Sequence, residues 1–262
     1  SYVLTNPSPS VMMYVGLLML LIGMLFKVSA APFHFWTPDV YDGAPTVFTA
    51  FMSTIVKTAG FAAIYRLLSG SFSGAYTFWW STLAGITVLT LLAGNITAVY
   101  QNSFKRMMAY SSISHAGYLL LSLTALSSQS QDAIVFYSLA YSLATISAFG
   151  VLMIVSKETG VRSNEVSESF NAFNGLGKKN PLLAFVLTVS MLSLAGIPLT
   201  AGFWGKFFVF SSVVERGLTW ILIVAVLMSA VGIYYYFKAV IAAYMREGEA
   251  GTIKVPQFYR LV

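Results

Sequence analysis

The sequence predicts an all-α fold, a polytopic membrane helix bundle of about seven spans with two of them interrupted, and three observations predict it. The composition is too apolar for a soluble domain: over 262 residues, 57% are hydrophobic and 9% charged, with a mean hydropathy of +0.76. The apolar residues fall in long uncharged runs, which as helices at about 1.5 Å per residue reach across roughly 30 Å of hydrocarbon. No stretch has the ten-residue alternation of a membrane barrel. Two runs also carry a proline within a few turns of a lysine (Lys27 with Pro32, Pro198 with Lys206), the pattern of helices broken at or near membrane depth.

The first run, residues 11 to 31, is uncharged from Val11 to Phe26. Lys27 follows, and Pro32 then removes a backbone donor and clashes with the preceding turn, so the helix kinks or stops there. Backbone left unpaired in a membrane needs protein or water around it, so a lysine beside a broken helix marks a candidate polar cavity. Further spans are expected at 46–69, 78–100, 107–126, 132–155, 181–212 and 218–244. Between the fifth and sixth lies a polar linker, 157–180, expected on the cytoplasmic side. Its Phe170 and Phe173 among polar residues suit an amphipathic helix on the membrane surface. The sixth run, in MLSLAGIPLTAGFWGKFFVF, repeats the theme of the first: small residues meet Pro198 and then Lys206. Each broken run is followed by a span with its own lysine, Lys57 or Lys238, as in an inverted repeat. A polar tail, 245–262, closes what reads as one transmembrane domain.

Charge supplies the orientation. The side reached after the first run holds Lys105, Arg106, Lys157, Arg162, Lys178, Lys179, Arg246, Lys254 and Arg260, against Arg66 and Arg216 opposite. That bias places the first side in the cytoplasm or its equivalent, and it explains the net charge of +6 better than a nucleic-acid partner does. The absence of cysteine excludes disulfides, cysteine-ligated zinc and iron–sulfur clusters in this chain, and two histidines make no ordinary metal or haem centre. No redox centre is therefore expected here. No signal peptide, lipidation motif, Rossmann glycine pattern, P-loop or Ser-His-Asp arrangement is legible. The chain begins at Ser1 rather than methionine and is read as a piece of a longer protein.

The chemistry-bearing candidates are the lysines in apolar surroundings, Lys27, Lys57, Lys206 and Lys238. No Asp or Glu falls inside a span beyond its first residue. Burial disfavours a charged amine, which makes such a lysine a candidate proton relay; near a span end the alternative is an ammonium snorkelling to the headgroups, the reading that suits Lys238. His115 lies inside the fourth span with Tyr110, Ser111, Ser112, Ser114 and Tyr118 around it, either on a proton path or hydrogen-bonded between packed helices. His34, beside Pro32 and Trp36, is a relay at the mouth of the break or an interfacial aromatic. Asp39 and Asp42 are read as caps of the next helix. The clusters Phe78-Trp79-Trp80 and Tyr234-Tyr235-Tyr236 are read as interfacial anchors or packing.

Three motifs in order, FKVSAAPFHFWTPDVYDGAP, NSFKRMMAYSSISHAGY and LSLAGIPLTAGFWGKF, resemble the antiporter-like membrane subunits of proton-pumping NADH:quinone oxidoreductase, respiratory complex I. TPDVY followed by GAP is nearer to subunit N, the equivalent of mitochondrial subunit 2, than to subunits L and M. The resemblance covers nearly all of the chain. It implies a fold of about fourteen helices with two inverted repeats, of which this chain holds the seventh through the thirteenth. Lys27 matches the family's lysine on the first broken helix, which pairs with a glutamate on an earlier helix. Lys57 matches the central lysine of the next helix, and Lys206 the lysine of the second broken helix. His115, Tyr110 and Ser112 match a motif near the family's hydrophilic axis.

The resemblance further implies a subunit of a translocase without a cofactor of its own. NADH, FMN, iron–sulfur clusters and quinone would sit in partner subunits, and the partners would be other membrane-arm subunits and the lipid bilayer. The expected location is the inner (plasma) membrane of a bacterium, ahead of a mitochondrial or plastid membrane. Two other classes share the pattern: a cation/proton antiporter or membrane hydrogenase subunit of the same fold, and a purely structural subunit.

Overall fold

The computed structural model describes residues 11–158, 169–248 and 253. Nine helices carry the architecture of the described residues: α1 (Val11–Lys27), α2 (Trp36–Gly43), α3 (Thr46–Ser71), α4 (Tyr76–Val99), α5 (Phe104–Ala125), α6 (Ser130–Glu158), α7 (Pro181–Ala195), α8 (Ala201–Glu215) and α9 (Thr219–Met245). The all-α expectation holds. Among the described residues, four stretches are long and apolar enough to cross a membrane: Thr46–Ser71, Ser73–Val99, Ser130–Lys157 and Thr219–Met245. The two runs expected to be interrupted supply the shorter apolar helices α1 and α7.

The fourth expected span behaves differently. Helix α5 is rich in Ser, His and Tyr, and every residue except Arg106 and Tyr110 is buried. It is the centre of the bundle, with α2, α4, α6, α8 and α9 packed around it. A helix this polar is costly against lipid, so its neighbours form the boundary instead. Their exposed Leu143, Phe207, Ile223 and Leu227 form an outer apolar surface. Close approach is required at Gly94 of α4, where a Cβ would lie 2.6 Å from the Ser114 backbone nitrogen.

Both breaks are present, each placed by its local chemistry. The first helix stops at Lys27 rather than at Pro32, because Ser29 takes a left-handed φ of 64° and turns the chain before the proline is reached. Freed backbone groups find partners: Ala30 N donates to Leu25 O at 2.9 Å, and Ala31 N to Thr90 Oγ1 at 3.0 Å. Helix α7 begins on an Asn180 cap, whose Oδ1 accepts from Leu183 N at 3.1 Å, with Pro181 at the first helical position, where no donor is needed. It ends at Gly196, φ 80°. The chain resumes as α8 with Gly202 N donating to Ser193 Oγ at 3.1 Å. A Cβ at Gly202 would overlap the Ser193 carbonyl oxygen, so the two half-helices meet backbone to backbone.

Two sequence expectations are corrected. Phe170 and Phe173 do not lie on a surface helix. They form a short 3-10 turn, Phe170–Phe173, and both are buried edge-on against Phe104 at 5.9 and 4.8 Å; residues 159–168 of that linker fall outside the described residues. Asp39 and Asp42 do not cap α3, which begins at Pro45 without a side-chain cap. Both pair with Arg106, at 3.2 and 3.5 Å, while Lys105 Nζ donates to the carbonyls of Asp42 and Ala44 at 2.9 and 2.7 Å. The two cations thus tie the end of α2 to the start of α5, favourable for positive charge at a helix C-terminus. Among the aromatic clusters, Trp79, Tyr235 and Tyr236 are wholly interior. The expected tail, 245–262, falls mostly outside the described residues, as do Arg162, Lys254 and Arg260. The other cations follow the loop count: Arg246 meets Asn171 at 3.3 Å at the end where Ser103 bridges Ser169, and Arg216 lies over Tyr76 at the other end.

Candidate functional site

The site is built on one face of α5. Ser112, His115 and Tyr118 recur every three residues, so they share a stripe along the helix. Each meets a chemistry-bearing group from a neighbouring helix.

Lys57 reaches the stripe from α3. A π-turn over Met52–Val56 precedes it, inserting one extra residue and re-aiming the side chains that follow. Lys57 is 3% exposed. Its Nζ donates to Ser112 O at 2.7 Å and to Ser112 Oγ at 2.6 Å. Both acceptors are uncharged, so the ammonium is solvated without being locked into an ion pair.

One turn further along α5, both nitrogens of His115 are engaged. Nδ1 meets Tyr137 Oη of α6 at 2.7 Å and Nε2 meets Tyr236 Oη of α9 at 2.9 Å. Tyr236 Oη is also hydrogen-bonded to Ser111 Oγ. A neutral imidazole has one donor and one acceptor, so in that form it accepts from one tyrosine and donates to the other. The result is an unbroken hydrogen-bonded line, Ser111–Tyr236–His115–Tyr137, joining three helices.

Lys206 approaches from α8, just beyond the second break. It is 5% exposed, and its Nζ donates to Ala195 O and to Ser229 Oγ, each at 2.8 Å. Ala195 ends α7, so its carbonyl is one of those a helix terminus leaves without an intrahelical partner. The ammonium also sits 4.8 Å from the centre of the Tyr118 ring, where the negative ring face attracts it. Gly196 admits the lysine: a Cβ there would lie 2.8 Å from Lys206 Cδ. Both lysines lie within electrostatic reach of His115.

The remaining sequence candidates stand apart. Lys27 ends α1 and is exposed. His34 is half-buried and stacks on Phe35 at 4.7 Å. Tyr110 is half-buried, and its carbonyl accepts from Ser114 Oγ at 3.1 Å. Lys238 is half-buried near the cation-rich end, where Nζ donates to Val99 O and lies 5.4 Å from the Tyr234 ring centre. Sequence reasoning missed Tyr137, Tyr236 and Ser229. It also missed Asn95, whose Oδ1 accepts from Tyr235 Oη at 3.1 Å. In a run such as Tyr234-Tyr235-Tyr236 nothing local says which hydroxyl turns inward. Among the described residues no three His, Cys, Asp or Glu side chains converge as metal ligands.

Residues 2–232 match the family model described as NADH:quinone oxidoreductase/Mrp antiporter, TM. The chain is 45% identical over 245 residues to NADH-quinone oxidoreductase subunit N of Cytophaga hutchinsonii, covering 94% of this chain and 52% of that protein. It is 47% identical over 238 residues to the protein of the same name from Trichlorobacter lovleyi, covering 91% and 48%. The chain thus spans about half the length of these curated relatives. Among solved structures it is similar to a chain of respiratory complex I from Thermus thermophilus with bound aureothin, at TM-score 0.80 and 38% identity, covering 98% of this chain and 56% of that one.

Proposed function

The chain belongs to the NADH:quinone oxidoreductase/Mrp antiporter transmembrane family, and from that premise we propose that it is the proton-conducting part of a membrane subunit of NADH:quinone oxidoreductase, corresponding to subunit N. Electron transfer from NADH through FMN and iron–sulfur clusters to quinone takes place in partner subunits, in a translocase of a bacterial inner membrane. This chain's own residues hold and pass protons. The observation that carries the reading is the row of Lys57, His115 and Lys206 along α5, three titratable side chains buried in an apolar bundle and hydrogen-bonded to neutral partners. Buried ionisable groups inside membrane bundles mark ion and proton paths.

In this reading Lys57 and Lys206 are proton carriers, and His115 with its two tyrosines is the link between them. A change of charge at one site alters the proton affinity of the next, so protons move when quinone chemistry elsewhere perturbs the row. Ser112 and Ser229 accept from the loaded lysines. Lys27, facing outward at the end of α1, pairs with a carboxylate supplied from outside this chain. His34 and Tyr110 flank the path, and Lys238 lies off it.

The test is NADH-driven acidification of inverted membrane vesicles carrying the full-length subunit, wild type against Lys57→Met, with NADH:ferricyanide activity verifying assembly. Methionine keeps the side-chain length and cannot carry a proton. Acidification and quinone reduction are expected to collapse while ferricyanide activity persists. Wild-type values for both would end the relay role of Lys57 and move a structural role to first place. Sodium movement without NADH would favour an antiporter instead.

A further inference from the structure

At the cation-rich end, away from the lysine row, a cleft of about 520 Å³ opens between the end of α4, the Phe170–Phe173 turn and the outer face of α9. Tyr234, Phe237 and Ile241 recur at three- to four-residue spacing and form one stripe of α9, continued by Ile233, and all four are at least 36% exposed. Gln101, Asn102, Asn171, Lys238 and Arg246 supply the polar part of the lining.

Among the described residues, no acidic side chain lines this cleft. Lys238 donates to the Val99 carbonyl and Arg246 to Asn171 Oδ1, both neutral oxygens. Each retains further N–H donors. Two cations and three amides beside an apolar wall fit an amphiphile whose head is anionic. A free phosphate has no use for the wall. The end where the cleft lies carries most of the chain's Lys and Arg, hence it faces the leaflet in which anionic lipids attract basic residues.

We propose that this cleft binds an anionic phospholipid, with its phosphate at Lys238 and Arg246 and an acyl chain along Ile233, Phe237 and Ile241. From Ile233 to Ile241 the stripe runs about 12 Å, so the cleft takes the head and the start of one tail. The rest of the lipid follows the exposed face of α9.

The experiment uses the whole purified complex in nanodiscs holding phosphatidylglycerol or phosphatidylcholine with a photoreactive acyl chain. Cross-links are mapped by peptide mass spectrometry. Labelling of residues 233–241 is expected from the phosphatidylglycerol probe well above that from phosphatidylcholine, and to fall about fivefold in Arg246→Gln, the factor one basic residue near an anionic surface contributes. Labelling at Leu143 of α6 serves as the reference for ordinary boundary lipid. Equal labelling by the two probes overturns the proposal, as does loss of labelling in millimolar inorganic phosphate, which would mean a free-anion site. A protein cross-link from residues 233–241 in place of lipid also overturns it. If Arg246→Gln fails to assemble, the two-probe comparison on the wild-type complex decides.

Discussion

Lys57 and Lys206 are both interior amines held by neutral oxygen atoms, yet the bundle solvates them by different means. Lys57 sits in a continuous helix, and among the described residues both hydrogen bonds of its ammonium go to one residue, Ser112. Lys206 stands beyond a complete break and draws on three helices: the terminal carbonyl of α7, Ser229 of α9 and the Tyr118 ring of α5. A helix can thus serve a buried cation by lending a side chain and a second lone pair on an already bonded carbonyl, or by stopping and leaving a carbonyl free. The first arrangement depends on one residue, whereas the second depends on the geometry of the break. Substitutions can separate these two dependences.

The largest effect is expected at the break itself. Gly202→Ala drives a methyl group into the Ser193 carbonyl, at a cost of about 3 kcal/mol or more where backbone meets backbone. The amount of assembled complex on native gels should fall sharply, while Gly16→Ala, with nothing within 4 Å of its Cβ, should leave assembly unchanged. Equal assembly of the two variants would show that the α7–α8 junction yields, and the second arrangement would lose its basis.

Lys206→Met comes next. Removing a positioned proton carrier costs on the order of 100-fold in the step it serves, so NADH-driven acidification should fall to background with ferricyanide activity retained. Pumping near the wild-type rate would take Lys206 out of the row and leave its burial a packing feature.

The hydroxyl substitutions sharpen the contrast between the two lysines. Each of Ser112→Ala and Ser229→Ala removes one hydrogen bond to a charged group, worth about 1.5–3 kcal/mol. Lys57 is then left with a single carbonyl, whereas Lys206 keeps a carbonyl and an aromatic face. Proton flux per NADH oxidised should therefore fall about tenfold in Ser112→Ala and by clearly less in Ser229→Ala; the reverse order would contradict the account of how each ammonium is held. The smallest effect is expected at Tyr118. Tyr118→Phe keeps the ring and should pump within about twofold of wild type, while Tyr118→Leu loses a cation–π contact of about 1 kcal/mol and should pump about fivefold less. Identical fluxes in the two would remove the ring from the description of the Lys206 site.

Much of this was legible in one dimension. Hydropathy sums over neighbours along the chain, so the helical stretches and both interruptions could be read from the sequence, with Lys57 and Lys206 marked as charges in apolar surroundings. The position of the first break was off by one turn because Ser29, not Pro32, takes the left-handed conformation. The fourth run was recognised as helical, but its place at the centre of the bundle follows from which helices surround it, and that is a property of packing.

Local pattern decided least about the rotation of each helix on its axis. Lys27 and Lys57 look alike as lysines in apolar runs, yet the first is exposed at a helix end and the second is enclosed. Tyr234, Tyr235 and Tyr236 are consecutive and chemically identical, but Tyr234 faces outward while Tyr235 and Tyr236 bond Asn95 and His115. Burial and hydrogen bonding at these residues depend on neighbours up to 140 positions away in the chain, and no window of sequence contains them. The sequence by itself determined a membrane bundle with broken helices and interior cations. Only the tertiary structure decided which cations share the α5 stripe, because a side chain's partner is set by helix rotation and contact, and both are fixed only when the helices pack.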